Sequence, residues 1–175
     1  ELKPFISGIN EDADSVMVAH ITTPKVFESG KDRNGNYLPA TLSYFWQTEV
    51  LRRRLGFKGV IVTDSLGMGA IKNYYTPEES AVMALKAGSD IILMPEDFER
   101  AYYGILDAVR RGEISESRIN ESVKKILLLK AKRGIIKSFW NFICIFFHFV
   151  WFFFQYVFTF LLNMLDYMHM SKSRE

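Results

Sequence analysis

The stretch Gly59-Val60-Ile61-Val62-Thr63-Asp64-Ser65-Leu66-Gly67-Met68 decides the fold. Its first five residues form a continuous apolar run that ends on a carboxylate. Without polar alternation, both faces of such a strand must be covered, as in a parallel sheet flanked by helices. Two further runs share the pattern, Val16-Met17-Val18-Ala19-His20 before it and Asp90-Ile91-Ile92-Leu93-Met94 after it. Each leads through a polar or Pro-containing stretch into a helical period. The spacing predicts a first helix over 43–55, with Trp46, Val50, Leu51 and Leu55 on one face. Thr76 as N-cap, Pro77 at the first helical position and Glu79 as capping-box partner open a second helix, which Gly88 closes. A third spans 98–110. A fourth starts at Ser115, buries Ile119, Val123, Ile126 and Leu127, and ends at Gly134.

Repeated βα units predict an α/β fold with a parallel sheet, either doubly wound or closed as a barrel, and periodicity leaves both open. A complete (β/α)₈ barrel takes roughly 250 residues, so about three units make a partial one. The chain has 175 residues, 49% of them apolar, which suffices for one core. With 22 Lys+Arg against 20 Asp+Glu, no basic block is available for phosphates, which excludes a nucleic-acid binder. The single Cys144 excludes a disulfide framework and a multi-Cys zinc site. Glu1-Leu2-Lys3-Pro4-Phe5 lacks an initiator Met and a leader pattern, so the sequence reads as a piece of something longer.

In parallel α/β folds, ligands meet the loops at the carboxyl ends of the strands. That rule directs attention to the positions after His20, Thr63 and Met94. Asp64 ends its strand directly. A carboxylate there is costly to desolvate and needs a partner or a task; capping the next turn is the bland alternative. His20 ends the preceding strand and reads first as a hydrogen-bonded structural group. Asp90 opens its strand at the opposite end, where a turn or packing role is expected, and Pro95-Glu96-Asp97 starts a helix.

The stretch Val50-Leu-Arg-Arg-Arg-Leu-Gly-Phe-Lys-Gly-Val-Ile-Val-Thr-Asp64-Ser-Leu-Gly-Met68-Gly-Ala-Ile71 resembles the signature of glycoside hydrolase family 3, in its β-N-acetylhexosaminidase branch. Four other blocks resemble the family in the same order: Leu2–Phe5 with Val16–Ile21, Leu38–Ser43, Ala84–Leu93 and Arg118–Leu127. The resemblance implies a C-terminal part of a TIM-like (β/α)₈ barrel over 1–134. It also implies a retaining glycosidase that releases terminal β-linked N-acetylglucosamine from chitooligosaccharides or from peptidoglycan fragments, as in peptidoglycan recycling. Asp64 occupies the position of the nucleophile that forms the glycosyl-enzyme intermediate. His20, Met17 and Met68 match positions lining or supporting the sugar pocket. No metal or organic cofactor is expected. The branch's general acid/base, a His paired with an Asp on a mobile loop, and the Lys-His and Arg that grip the sugar, would all precede Glu1. The fragment is therefore expected to be inactive alone. The alternative is a non-catalytic, membrane-associated remnant or scaffold.

Composition changes at Gly134. Residues 135–175 carry three basic and two acidic side chains, and ten of the fifteen Phe lie between Phe139 and Phe160. This hydrophobic, helical tail is long enough over 139–165 to be a transmembrane helix, for which about 20 residues suffice. Lys130, Lys132, Arg133 and Lys137 before it would keep residues 1–134 on the cytoplasmic side. Yet 138–175 contains no Ala, Gly or Pro, and Asn141, His148 and Gln155 interrupt the run. An out-of-frame translation and a partner-binding helix stay open beside membrane contact.

Overall fold

The computed structural model describes residues 2–136. Contacts divide the chain between Leu129 and Lys130, and the elements below belong to the first unit except for the last turn of the final helix. The order is α1 (Lys3–Asn10), β1 (Ser15–Val18), a π-helix (Phe45–Arg54), β2 (Val60–Thr63), α2 (Gly69–Lys72), α3 (Pro77–Ala87), α4 (Phe98–Arg110) and α5 (Glu116–Lys132). Short 3₁₀ turns at Phe27–Ser29 and Ala40–Leu42 shape the long connection after β1. β1 and β2 pair in parallel, with Val16 opposite Ile61 and Val18 opposite Thr63.

The third predicted strand, Asp90–Met94, shrinks to a single parallel bridge between Ile91 and Val62. Its path beside β2 is nonetheless fixed. The Asp90 and Ile91 amides both donate to the Ile61 carbonyl, and the Thr63 amide donates to Ile91. The Leu93 amide then turns to the Thr63 hydroxyl at 2.9 Å. A side chain has taken the place of the next ladder rung, so regular pairing stops.

α3 and α4 begin and end where their caps dictate. Thr76 Oγ1 accepts from the Glu79 amide at 3.2 Å, and Glu79 Oε2 accepts from the Thr76 amide at 3.0 Å. Gly88 ends α3 at φ +132°, with no room for a Cβ beside Thr48 Oγ1. Asp97 caps α4 through the Arg100 amide. The two helices approach so closely at Gly104 that an added Cβ would lie 2.8 Å from Glu78 Cα, and the buried Ala81, Ala84, Ala101 and Ala108 match that short separation.

Two helices depart from expectation. The segment predicted as α-helical over 43–55 winds as a π-helix, and its buried residues are Gln47, Val50 and Leu51, with Trp46 and Leu55 only partly covered. Gln47 is fully buried; its amide donates to the Thr41 carbonyl and its Oε1 accepts from Ser89 Oγ at 2.8 Å. The wider winding, typical of local bulges rather than ten-residue runs, turns Gln47, Leu51 and Arg52 inward together. In α5, the predicted stripe is half wrong. Val123 and Leu127 are 46% and 49% exposed, and Ser122 is the buried residue.

Asp90 explains the rotation of α5. Its side chain is wholly buried and accepts from the Ile61 amide at 2.9 Å and Ser122 Oγ at 2.7 Å. Arg52 pairs with it directly, while Arg118 and Lys125 lie at 3.7 and 3.5 Å. A buried carboxylate requires such partners, and Arg118, Ser122 and Lys125 share one helical face. The expected packing role of Asp90 is thus what the structure shows. Among the described residues the core comprises three small clusters, centred on Leu42/Leu66/Ile71/Ala84, Leu51/Phe57/Ile61 and Leu85/Ala108/Ile114. Among the described residues no helix is long and apolar enough to cross a membrane. The tail expectations, including the span over 139–165, fall outside the described residues.

Candidate active site

Asp64 follows β2 directly, and its amide still donates to the Val18 carbonyl at 3.0 Å, so the backbone is held by β1 up to the carboxylate. The side chain is half-buried and Oδ1 accepts from the Ser65 amide at 2.7 Å, which fixes its rotamer. Strand alternation and the observed register put Asp64, Val62 and Met17 on one face of the sheet, while Val16, Val18 and Ile61 turn toward the helices. Met17 is 54% exposed on that face.

The loop after Asp64 is strapped from both sides. On one side, the Leu66 amide donates to the Leu93 carbonyl and the Gly67 amide to Met94, at 3.0 and 2.9 Å. On the other, His20 Nε2 lies 2.8 Å from the Ser65 carbonyl and Nδ1 lies 2.9 Å from Thr41 Oγ1. The carbonyl can only accept, so Nε2 carries the hydrogen and donates. Thr41 Oγ1 in turn donates to the Val18 carbonyl at 2.9 Å. The Met68 amide also donates to the Ser65 carbonyl, and the Met68 side chain is exposed at the head of α2.

Of the four residues singled out in the sequence, His20, Asp64 and Met68 are therefore brought together through Ser65, and Met17 joins Asp64 by register. Thr41, Ser65 and Met94 were not legible. Thr41 is fully buried between His20 and β1. Met94 holds a positive φ of 43°, a backbone state rare for a side-chain-bearing residue. A Thr or Ser in a loop carries no signal of its own until the fold supplies its partner.

The profile of the Glycosyl hydrolase family 3 N terminal domain matches residues 1–129. The chain belongs to this family. It is 43% identical to a family 3 β-N-acetylglucosaminidase from Paenibacillus sp. str. FPU-7, with a TM-score of 0.70 over 77% of this chain and 25% of that one. The β-N-acetylglucosaminidase from Thermotoga maritima is 26% identical, with a TM-score of 0.64 over 73% of this chain and 27% of that structure. A curated relative, β-hexosaminidase A of Pseudoalteromonas piscicida, is 31% identical over 145 residues, 75% of this chain and 24% of the relative. This family 3 chain thus spans about a quarter of the length of these relatives.

Proposed function

We propose that this chain carries the nucleophile side of a retaining glycosidase that releases terminal β-linked N-acetylglucosamine. The observation that carries the reading is the position of Asp64: a half-buried carboxylate at the carboxyl end of a parallel strand, in a loop tied down on both flanks, inside the stretch that matches the family. The names of the Paenibacillus and Thermotoga relatives support the choice of sugar.

In this mechanism an Asp64 oxygen attacks the anomeric carbon as the glycosidic C–O bond breaks. The departing oxygen takes a proton from a general acid. Water then attacks the anomeric carbon of the glycosyl ester, gives up its proton to the same group, and releases Asp64 as carboxylate. His20 acts at one remove, holding the Ser65 carbonyl and with it the carboxylate's neighbour; Met17 and Met68 line the space in front. Chitooligosaccharides and peptidoglycan fragments are the substrate classes that carry such a terminal sugar.

A chimera tests this. Residues 1–129 replace the matching portion of the Paenibacillus enzyme, and hydrolysis of p-nitrophenyl N-acetyl-β-glucosaminide is measured. Asp64→Asn is expected to lower kcat/KM by about 10³-fold or more, and a 2-fluoro glycoside should label the Asp64 peptide in mass spectra. Turnover by the Asp64→Asn chimera at the parent rate overturns the assignment.

A further inference from the structure

One groove has a lining that does not include Asp64. Its volume is about 990 Å³, at the upper end of the range for small-ligand sites, and its lining comes from the arm formed by residues 30–38 and from α3 and α4. Three tyrosine rings stand in it largely uncovered: Tyr44, Tyr74 and Tyr103 are 48%, 66% and 57% exposed. Their backbones are fixed by the end of the β1 connection, by the loop that follows Asp64 and α2, and by α4.

Part of the lining is pre-built. Lys31 and Tyr37 bridge as an antiparallel pair at the base of the arm. Asp32 Oδ1 accepts from the Asn34 and Asn36 amides, each at 2.8 Å, and Asp32 Oδ2 accepts from the Tyr75 hydroxyl at 3.2 Å. Rigid walls reduce the ordering cost of binding.

Charge narrows the occupant. Five cationic and six acidic side chains line the groove, and several satisfy one another: Arg100 Nε and Nη2 clamp Glu78 at 2.8 and 3.0 Å, and Arg111 pairs with Glu113 at 2.8 Å. Near balance argues against a polyanion, whose binding needs excess cations. What remains is a set of stiff aromatic faces among fixed, planar hydrogen-bonding groups. That combination fits a ligand with apolar C–H faces and a polar hydroxyl or amide rim.

The geometry points to this groove as a second carbohydrate site, separate from the catalytic face, which holds an uncharged oligosaccharide of β-linked N-acetylhexosamine. The choice of sugar rests on the function proposed above; the groove itself does not. Tyr74 and Tyr103 supply stacking faces, and the Glu78–Arg100 pair supplies acceptors and donors for the rim.

Titration of the full 175-residue chain with tetra-N-acetylchitotetraose, followed by NMR shifts, tests the proposal. Saturable binding is expected, weakened about tenfold or more by the Tyr74→Ala/Tyr103→Ala pair, retained by Tyr74→Phe/Tyr103→Phe, and unchanged by Asp64→Asn. Both tyrosines are exposed, so the variants should keep the parent's circular dichroism and midpoint; the Phe pair provides the check on fold. Absence of saturable binding at millimolar sugar, or equal affinity in the Ala pair, overturns the site. Loss of binding in Asp64→Asn alone places the sugar at the catalytic face and also overturns it. The catalytic reading is judged separately, by turnover in the chimera.

Discussion

Asp90 and Asp64 occupy opposite ends of the same short parallel array and are treated in opposite ways. Asp90 is sealed under Arg52, Arg118 and Lys125, whereas Asp64 is half-open and keeps one local amide donor. Removing the sealed carboxylate leaves three cations facing each other and strips Ile61 N–H and Ser122 of an acceptor. Asp90→Ala should lower stability by about 3 kcal/mol or more, read as a lower urea midpoint. Tyr75 and Asp32 make a second residue-level prediction. Burial first, then the adjacent Asp32 charge and hydrogen bond, push the Tyr75 phenol up to about 12. Burial acts to raise the Asp32 carboxyl, but hydrogen bonds from Asn36, Asn34 and Tyr75 outweigh it and hold the group below its ordinary value. The phenol's raised value means that its contribution is intact below the unfolded value of about 10 and fades as pH climbs toward 12. The lowered carboxyl works the other way: its contribution is intact above about 3.9 and fades as pH falls. Absorbance at 295 nm should show a late-titrating component that is missing in Tyr75→Phe and shifted down in Asp32→Asn.

Among the elements, α3 and α4 are the ones whose limits could be read directly from residues. A capping box, a Pro at the first position and a terminal Gly are all short-range devices, and all of them act as expected. Thr76→Ala should cost about 1 kcal/mol. The contact between the two helices is less forgiving. Gly104→Ala sets a methyl against the Glu78 backbone, so a loss of about 1–3 kcal/mol is expected, with a parallel drop in thermal midpoint. The π-helix, α5 and the third strand were not legible in the same way. The π-helix depends on Gln47 reaching Thr41 and Ser89, α5 on where Asp90 is buried, and the third strand on a Thr63 hydroxyl that takes over a rung. Each cause lies between six and 42 residues away along the chain, beyond the reach of any periodicity.

At the scale of the whole molecule, glycoside hydrolysis needs a second group that gives and takes a proton besides a nucleophilic carboxylate. General acid catalysis contributes on the order of 10² to 10⁴ in rate, and positioning of the sugar contributes further. The 175-residue chain alone is therefore expected to leave p-nitrophenyl N-acetyl-β-glucosaminide intact over hours, in an assay where the chimera turns it over. Release by the purified chain itself would show that a proton donor sits within these residues.

The amino-acid order by itself determined the parallel α/β character, the bounds of α3 and α4, and the placement of Asp64 at a strand's carboxyl end. Those depend on neighbours one to four residues apart. Only the tertiary structure decided which face of α5 turns inward, how residues 45–54 wind, and that His20, Thr41 and Ser65 form one hydrogen-bonded tie beside the carboxylate. Burial of a polar group obliges it to find a partner, and that partner is chosen by whatever the fold brings within three ångströms.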